Sequence, residues 1–172
     1  MTELEFIHTV KNIEDRMYRL AKSILISEDE AADAVQEICA KLWTKRTQLD
    51  NVSNKEAYFM RAVRNYCLDR LKSKQSKETR FDNISFKTKA FSSEKNYEKK
   101  EAYNLVLKLM NALPEKQRVI IQLRDIEGYK FEEIAEIVNM KENAIRTALS
   151  RARKTLKEAL IKQYEYGLQY NK

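Results

Sequence analysis

The chain has 172 residues, enough for one domain or two small ones, and it contains only 2 Gly and 1 Pro. So few turn-forming residues argue against a β-rich fold and favour long helices with short connections. Lys and Arg outnumber Asp and Glu by 33 to 26, which gives a net charge of +7 and a pI near 9.3. This charge favours a polyanionic partner, although a solvated helical surface rich in Lys and Glu is the alternative.

No part of the sequence predicts a metal or cofactor site. Cys39 and Cys67 are far apart in apolar helical surroundings, and we interpret both as small core residues. His8 is the single histidine, so a cluster of metal ligands is not expected. Because Gly128 and Gly167 are the only glycines, the sequence offers no Gly-rich loop for a nucleotide phosphate, and we expect no cofactor.

Membrane proteins and enzymes are the least favoured classes. No apolar stretch approaches the roughly 18 residues of a membrane span, so we expect no membrane insertion. The first residues contain early acids and no continuous apolar run, unlike a signal peptide, and we therefore expect a cytoplasmic location. The paired acids Glu132 and Glu133 are adjacent on a predicted helix and point apart, without a His or Cys nearby, so they do not suggest catalysis.

The first predicted unit, residues 1–75, contains a helix with an acidic outer face. Ser27 and the acids that follow it are typical of a helix N-terminus. The helix is expected to bury Val35, Ile38, Cys39, Leu42 and Trp43 and to expose Asp33, Gln36, Glu37 and Lys41. An acidic face would repel phosphate and suits a basic protein partner, although a merely solvated face is the alternative.

A second helix of this unit, from about Lys55 to Lys72, follows a polar loop over residues 47–54. One flank carries aromatic and apolar residues, and Arg61, Arg64 and Asn65 lie elsewhere around the helix. Aromatic and basic groups beside such a loop can hold unstacked bases, at ~1–3 kcal/mol per stacked base. Aromatic residues at helical spacing are more often core, and we favour that interpretation for Phe59 and Tyr66.

Residues 76–100 are polar, rich in Ser and Lys and without sustained periodicity, which predicts a flexible basic linker. Over residues 72–100 there are nine Lys or Arg and four Asp or Glu. At ~3.3–3.6 Å per residue, about 25 extended residues would reach ~80–90 Å. That reach exceeds two turns of B-DNA, so two units could contact separate sites on one duplex. The alternative is a surface loop without such a role.

The second predicted unit, residues 101–167, carries the pattern of a helix-turn-helix. A helix begins at Leu113-Pro114-Glu115, because Pro fits a first turn in which its missing N–H costs nothing. Gly128 fits the end of that helix, and Asn139 tolerates the left-handed backbone of a sharp turn. The expected apolar positions are Val119, Ile120, Leu123 and Ile126 in one helix and Phe131, Ile134, Ala135 and Val138 in the next.

The last predicted helix has one apolar side and one basic side. Its apolar side holds Ile145, Leu149, Ala152, Leu156 and Leu160, and its other side holds Arg146, Thr147, Ser150, Arg151 and Lys154. A helix in the major groove reads guanine through Arg, and Ser or Thr contacts bases or phosphates. We assign Arg153 and Lys154, further along, to phosphates. The pattern predicts binding to double-stranded DNA, and the alternative is an exposed basic helix without a ligand.

Three segments of the sequence, in order, resemble bacterial RNA polymerase sigma factors of the sigma-70 family. Residues 27–37 with Leu42-Trp43 resemble the helix that binds core polymerase, and residues 57–71 resemble the helix for the −10 promoter element. Residues 113–135 and 149–156 resemble the region that binds the −35 element. The two-domain plan and the short length resemble the extracytoplasmic-function group, and the resemblance covers nearly the whole chain except the linker.

The resemblance implies a role for each part of the chain. Asp33, Gln36, Glu37 and Lys41 would contact the β′ clamp helices of core RNA polymerase, and the second unit would adjoin the β flap. The melted non-template strand and a flipped −10 base would be held by Leu49, Asn51, Asn54, Arg61, Arg64 and Asn65. The −35 duplex would be bound by Arg146, Thr147, Ser150, Arg151, Arg153 and Lys154. The linker would run toward the RNA-exit path, and an anti-sigma factor is an implied partner.

Two departures from the family pattern concern the recognition helix. Lys141 stands where a hydroxyl residue commonly caps this helix, and Ala148 occupies a position that is often basic. The remaining alternative is another helix-turn-helix transcription regulator that uses its first unit for dimerisation or sensing. Copurification with core polymerase separates these two functions.

Overall fold

The structure is a computed structural model that describes the backbone of residues 1–78 and 97–170 and the side chains of residues 1–74, 103–163 and 165. Within those ranges the chain is helical and contains no strand, in agreement with the all-α prediction. The first unit comprises α1 (Glu3–Leu25), α2 (Glu28–Thr44), a 3-10 turn (Arg46–Asn51) and α3 (Lys55–Glu78). The second comprises α4 (Tyr97–Asn111), α5 (Glu115–Ile121), a π-helical turn (Gln122–Ile126), α6 (Phe131–Val138) and α7 (Glu142–Tyr170).

Side-chain caps fix where the first three helices begin. The Thr2 hydroxyl accepts from the Glu5 N–H at 3.2 Å while the Glu5 carboxylate accepts from the Thr2 N–H at 2.8 Å, a reciprocal capping box. The predicted cap at Ser27 is confirmed, since its hydroxyl accepts from the Glu30 N–H at 3.4 Å. Before α3, the Asn54 side-chain oxygen accepts from the Ala57 N–H at 3.0 Å.

The core of the first unit lies between α1, α2 and α3, which pack against one another. Phe59 is fully buried, as predicted, and its ring lies 5.6 Å from that of Phe6, which in turn makes an edge contact with Trp43 at 5.3 Å. Cys67 is buried and Cys39 half-buried, in agreement with the core interpretation. Because α2 packs into this core through its apolar face, its acidic face is exposed.

The second unit has the helix-turn-helix geometry that the sequence predicts. Gly128 has φ of +78° and Asn139 has φ of +53°, so both chain reversals use the left-handed backbone. α7 buries Ile145, Leu149 and Ala152 against the other helices. The opposite side of α7 therefore faces away from the core.

Two helices extend beyond their predicted limits. α3 continues past Lys72 to Glu78, and α4 begins at Tyr97, so both ends of the predicted linker are helical. These stretches contain neither Gly nor Pro, and their Lys, Glu and Ser residues allow a helix to continue. Residues 79–96, the middle of the predicted flexible linker, lie outside the described residues.

The prediction that Ile126 is buried is wrong, because α5 does not continue as a regular α-helix. The Glu127 N–H donates to the Gln122 carbonyl five residues earlier, at 3.0 Å, which is the hydrogen bond of a π-turn. The extra residue in this turn places Ile126 on the outside, where it is 49% exposed, while Gln122 and Tyr129 are buried.

None of the helices in the described ranges combines the length and apolarity that a bilayer crossing requires.

Candidate nucleic-acid interface

The exposed side of α7 carries the polar and cationic residues that the sequence assigns to DNA. Their side chains are all exposed: Arg146, Thr147, Ser150, Arg151, Arg153 and Lys154. They share this side because Ile145, Leu149 and Ala152 fix the opposite side in the core. Within the described part of the chain, the side chains of Ser150 and Arg151 have no hydrogen-bond or ion-pair partner, so their polar groups are available to a ligand.

Other residues of this side are already engaged within the protein. Arg153 makes a bidentate ion pair with Asp125, with nitrogen–oxygen distances of 3.0 and 2.5 Å, and this pair connects α7 to the π-turn. The Thr147 hydroxyl donates to the Asn143 carbonyl at 2.9 Å, and Lys154 lies 3.9 Å from Glu158. Arg153 therefore positions α7 in this structure, whereas Arg151 and Ser150 present free polar groups.

Beside the loop before α3 lies an open pocket of about 310 Å³. Its lining residues are Asn51, Val52, Ser53, Asn54, Ala57, Tyr58, Arg61 and Glu136. Three of the residues predicted for the −10 element, Asn51, Asn54 and Arg61, thus lie around one cavity. The Arg61 guanidinium stands 5.6 Å from the centre of the Tyr58 ring, so the pocket offers a cation beside an aromatic face.

The remaining residues predicted for the −10 element lie outside this pocket. Leu49 is only 2% exposed, so its side chain belongs to the core of the first unit and is not available to contact DNA. Arg64 is half-buried and donates to the Asn65 side-chain oxygen at 3.1 Å. Burial lowers the pKa of Arg64, against the opposing charge of Glu115.

The acidic face of α2 is exposed as predicted. Asp33, Gln36, Glu37 and Lys41 all lie on the outside of the helix. Glu37 forms an ion pair with Lys41 at 3.1 Å, and the Lys41 ammonium lies 4.7 Å from the centre of the Tyr66 ring. Tyr66 is half-buried and so belongs to the edge of the core, beside this face.

Contacts between the two units involve residues that the sequence did not indicate. Arg19 of α1 donates two hydrogen bonds of 2.8 Å to Glu127, whose side chain is only 2% exposed. The Tyr129 hydroxyl donates to Glu56 at 2.5 Å, and Arg16 donates to the same carboxylate oxygen at 2.6 Å. Burial and the hydrogen bond to Glu56 raise the pKa of Tyr129.

A buried arginine completes this contact between the units. Arg118 of α5 is 6% exposed and donates to the Ser23 carbonyl at the end of α1. It also donates to the carbonyls of Asn111 and Leu113, both at 2.9 Å. These partners are distant in sequence and lack any periodic pattern, so sequence reasoning had no signal by which to find them.

The second unit is a helix-turn-helix with an exposed basic helix, and it packs on a helical unit with an acidic face. This arrangement is typical of DNA-binding proteins of transcription. The family model of sigma-70 region 2 matches residues 9–77, and that of sigma-70 region 4 matches residues 103–156. RNA polymerase sigma factor SigV of Bacillus subtilis (strain 168) is 30% identical over 146 residues, which cover 85% of this chain and 85% of SigV. The chain therefore belongs to the sigma-70 family of RNA polymerase sigma factors.

Two solved structures resemble this fold over most of the chain. The sigma factor RpoE of Bartonella quintana, in a co-crystal with the anti-sigma factor NepR, has a TM-score of 0.77 and 23% identity over 91% of this chain and 96% of its own. CnrH, in complex with the cytosolic domain of CnrY, has a TM-score of 0.68 and 21% identity over 92% of this chain and 89% of its own. The matches to the sigma-70 family models and to SigV give the function as that of a sigma factor, which binds core polymerase and directs initiation at promoters. An independent helix-turn-helix regulator is not favoured.

Proposed function

We propose that this sigma factor recognises the −35 element through the exposed side of α7, chiefly Arg146, Ser150 and Arg151. The observation that carries this proposal is the clean division of α7 into a buried apolar side and an exposed cationic side. An exposed helix of this kind fits the major groove, and Arg recognises guanine there with two hydrogen bonds. Lys154 adds a contact to a phosphate, and Thr147 can donate to one when its hydroxyl releases the Asn143 carbonyl.

The first unit is proposed to hold the melted −10 element in the pocket beside α3. Asn51 and Asn54 offer amide groups to base edges, and Arg61 beside Tyr58 offers a charged and aromatic wall. Arg64 and Asn65 lie on the same helix, where they would follow the strand beyond the pocket. Capturing an unpaired base offsets the few kcal/mol that unpairing costs, so strand separation is driven by binding energy and needs no catalytic residue.

The acidic side of α2 is proposed to bind the β′ clamp helices of core polymerase. Asp33 and Glu37 supply carboxylates and Gln36 an amide on one exposed side, with Lys41 beside them. Such a surface suits a basic protein and would repel DNA, which separates the polymerase contact from the DNA contacts. The site of action is the cytoplasm, where bacterial polymerase works, and the protein has no enzymatic activity of its own.

The two units are proposed to act as domains over residues 1–75 and 101–167, joined by a basic linker over 76–100. Because they are linked, a weak −10 contact and a weak −35 contact together give firm promoter binding. The second unit is proposed to adjoin the β flap. Since the similar structures of RpoE and CnrH contain NepR and CnrY, an anti-sigma factor is also proposed as a partner of this chain.

The test is promoter binding by the Arg151→Ala variant assembled with core polymerase. A genomic fragment selected by the wild-type holoenzyme serves as the probe. We expect the substitution to weaken −35 binding by about 1–3 kcal/mol, because a bidentate base contact is lost. Footprinting over the −35 element and run-off transcription measure the effect.

Lys162→Ala is the matched control, because Lys162 is an exposed cation on the same helix, about 16 Å from Arg151 at ~1.5 Å per residue. It should leave the −35 footprint unchanged. Equal losses for both variants would indicate general charge attraction, and an unchanged footprint with Arg151→Ala would reject the base contact.

A further inference from the structure

Two arginines share the ring of Phe131, the first residue of α6. The guanidinium carbon of Arg146, on α7, lies 3.8 Å from the ring centre, and that of Arg124, in the π-turn, lies 4.6 Å from it. Arg124 also donates to the Tyr129 carbonyl at 2.7 Å, and one edge of Arg146 donates to Glu142 at 3.3 Å. Phe131 is thus a half-buried aromatic ring in contact with two cationic groups at the edge of the proposed −35 interface.

This contact restricts the long side chain of Arg146. A free arginine has rotamer entropy to lose when it is ordered at a base edge. The Phe131 ring covers one face of the guanidinium, and Glu142 holds one nitrogen, so the group is oriented before DNA arrives. The Arg146 side chain remains 55% exposed, so its other N–H groups are open to a ligand.

We infer that Phe131 is a positioning residue that sets the specificity of −35 recognition by holding Arg146 in its base-reading orientation. The inference rests on the proposed function, because Arg146 must face the −35 duplex. Phe131 itself need not touch DNA. Its removal should therefore reduce discrimination at the base pair read by Arg146 and spare the base pairs read by Arg151.

The experiment uses full-length chain assembled with core polymerase and a promoter fragment randomised over its −35 element. Selection and sequencing give the base preference at each position for the wild type, Phe131→Leu, Arg146→Ala and the double variant. Arg146→Ala should flatten the preference at a defined position. Phe131→Leu should lower it there about two- to fivefold, in line with the strength of an exposed cation–π contact, and Phe131→Tyr should keep it.

The double variant separates positioning from general stability. With Arg146 already absent, Phe131→Leu should cause no further loss at that position. An equal loss at every position bound by α7, or no loss at the Arg146 position, would overturn the inference. If Phe131→Leu unfolds the second unit, Phe131→Met replaces it, since Met keeps an apolar volume without a ring, and a full preference with Met would equally overturn it.

The controls also distinguish the inference from the proposed function. If Arg146→Ala flattens no position, the base contact of Arg146 and the role of Phe131 both fail. If Arg146→Ala flattens a position and Phe131→Leu does not, only the positioning role fails and the proposed function stands.

Discussion

At the scale of single residues, burial decides which chemically reactive groups stay inert. Burial raises the pKa of the Cys67 thiol to about 12 and that of Cys39 to about 11. Thiolates, rather than thiols, react with alkylating agents, so both side chains are nearly unreactive at neutral pH. This agrees with a packing role for cysteines that lack a disulfide partner in the described structure.

We predict that iodoacetamide alkylates Cys67 at pH 8 at least about 100-fold more slowly in the folded chain than in urea, because its thiolate fraction is so small. Peptide mass spectrometry after timed quenching measures the rate. An unfolded thiol ionises near pH ~8.5. Because folding raises the pKa of the Cys67 thiol, burial of the neutral thiol contributes to the free energy of unfolding in full below pH ~8.5. This contribution is lost as pH rises toward about 12. Rapid alkylation of folded Cys67 would contradict its burial.

At the scale of elements, the π-turn after α5 explains where helical periodicity fails. One extra residue in the turn moves Ile126 to the surface and brings Glu127 above Gln122, to which it is also joined through side chains at 2.8 Å. The same turn aims Glu127 at α1 and Asp125 at α7. A local irregularity thus supplies the ion pairs on both sides of α5.

A pair of substitutions tests this register. Leu123→Ala should lower the free energy of unfolding by about 2–5 kcal/mol, since Leu123 is fully buried. Ile126→Ser should cost less than about 1 kcal/mol, because Ile126 is half exposed. A regular α-helix would bury both residues and predict similar losses. Urea unfolding followed by circular dichroism measures both variants, and a large loss for Ile126→Ser would contradict the π-turn.

Features of the structure that depend on local interactions could be predicted from the sequence, and those that depend on contacts between distant elements could not. The two sides of α2 and α7 could be predicted because a 3.6-residue period places their apolar residues on one side. The caps at Ser27 and the turn at Asn139 are equally local. The pairing of Arg153 with Asp125, by contrast, depends on packing between elements. The burial of Leu49 and the aromatic ring beside Arg146 likewise depend on tertiary contacts that no local pattern encodes.

At the scale of the whole molecule, the two units are packed together in a way that bears on promoter binding. α6 packs on α3, and its Glu136 lines the pocket proposed for the −10 element. A carboxylate there opposes the approach of a phosphate backbone. Arg64 Nε and Glu115 Oε1 are buried without hydrogen-bond partners among the described residues, which disfavours this arrangement.

Separation of the units is therefore expected to accompany −10 binding, and Arg19 and Tyr129 offer a direct test. Arg19→Ala combined with Tyr129→Phe removes the ion pair with Glu127 and the hydrogen bond to Glu56 while keeping the buried ring. Glu127 then stays buried without its cation, which should disfavour the packed arrangement by about 1–3 kcal/mol, or roughly 5–150-fold. The radius of gyration from small-angle X-ray scattering should rise. The free chain should also bind a single-stranded −10 oligonucleotide more tightly, because the pocket is uncovered more often.

Arg46→Ala is the matched control, since its ion pair with Glu3 at 3.0 Å lies wholly within the first unit. If the double variant matches this control in both measurements, these contacts do not hold the units together.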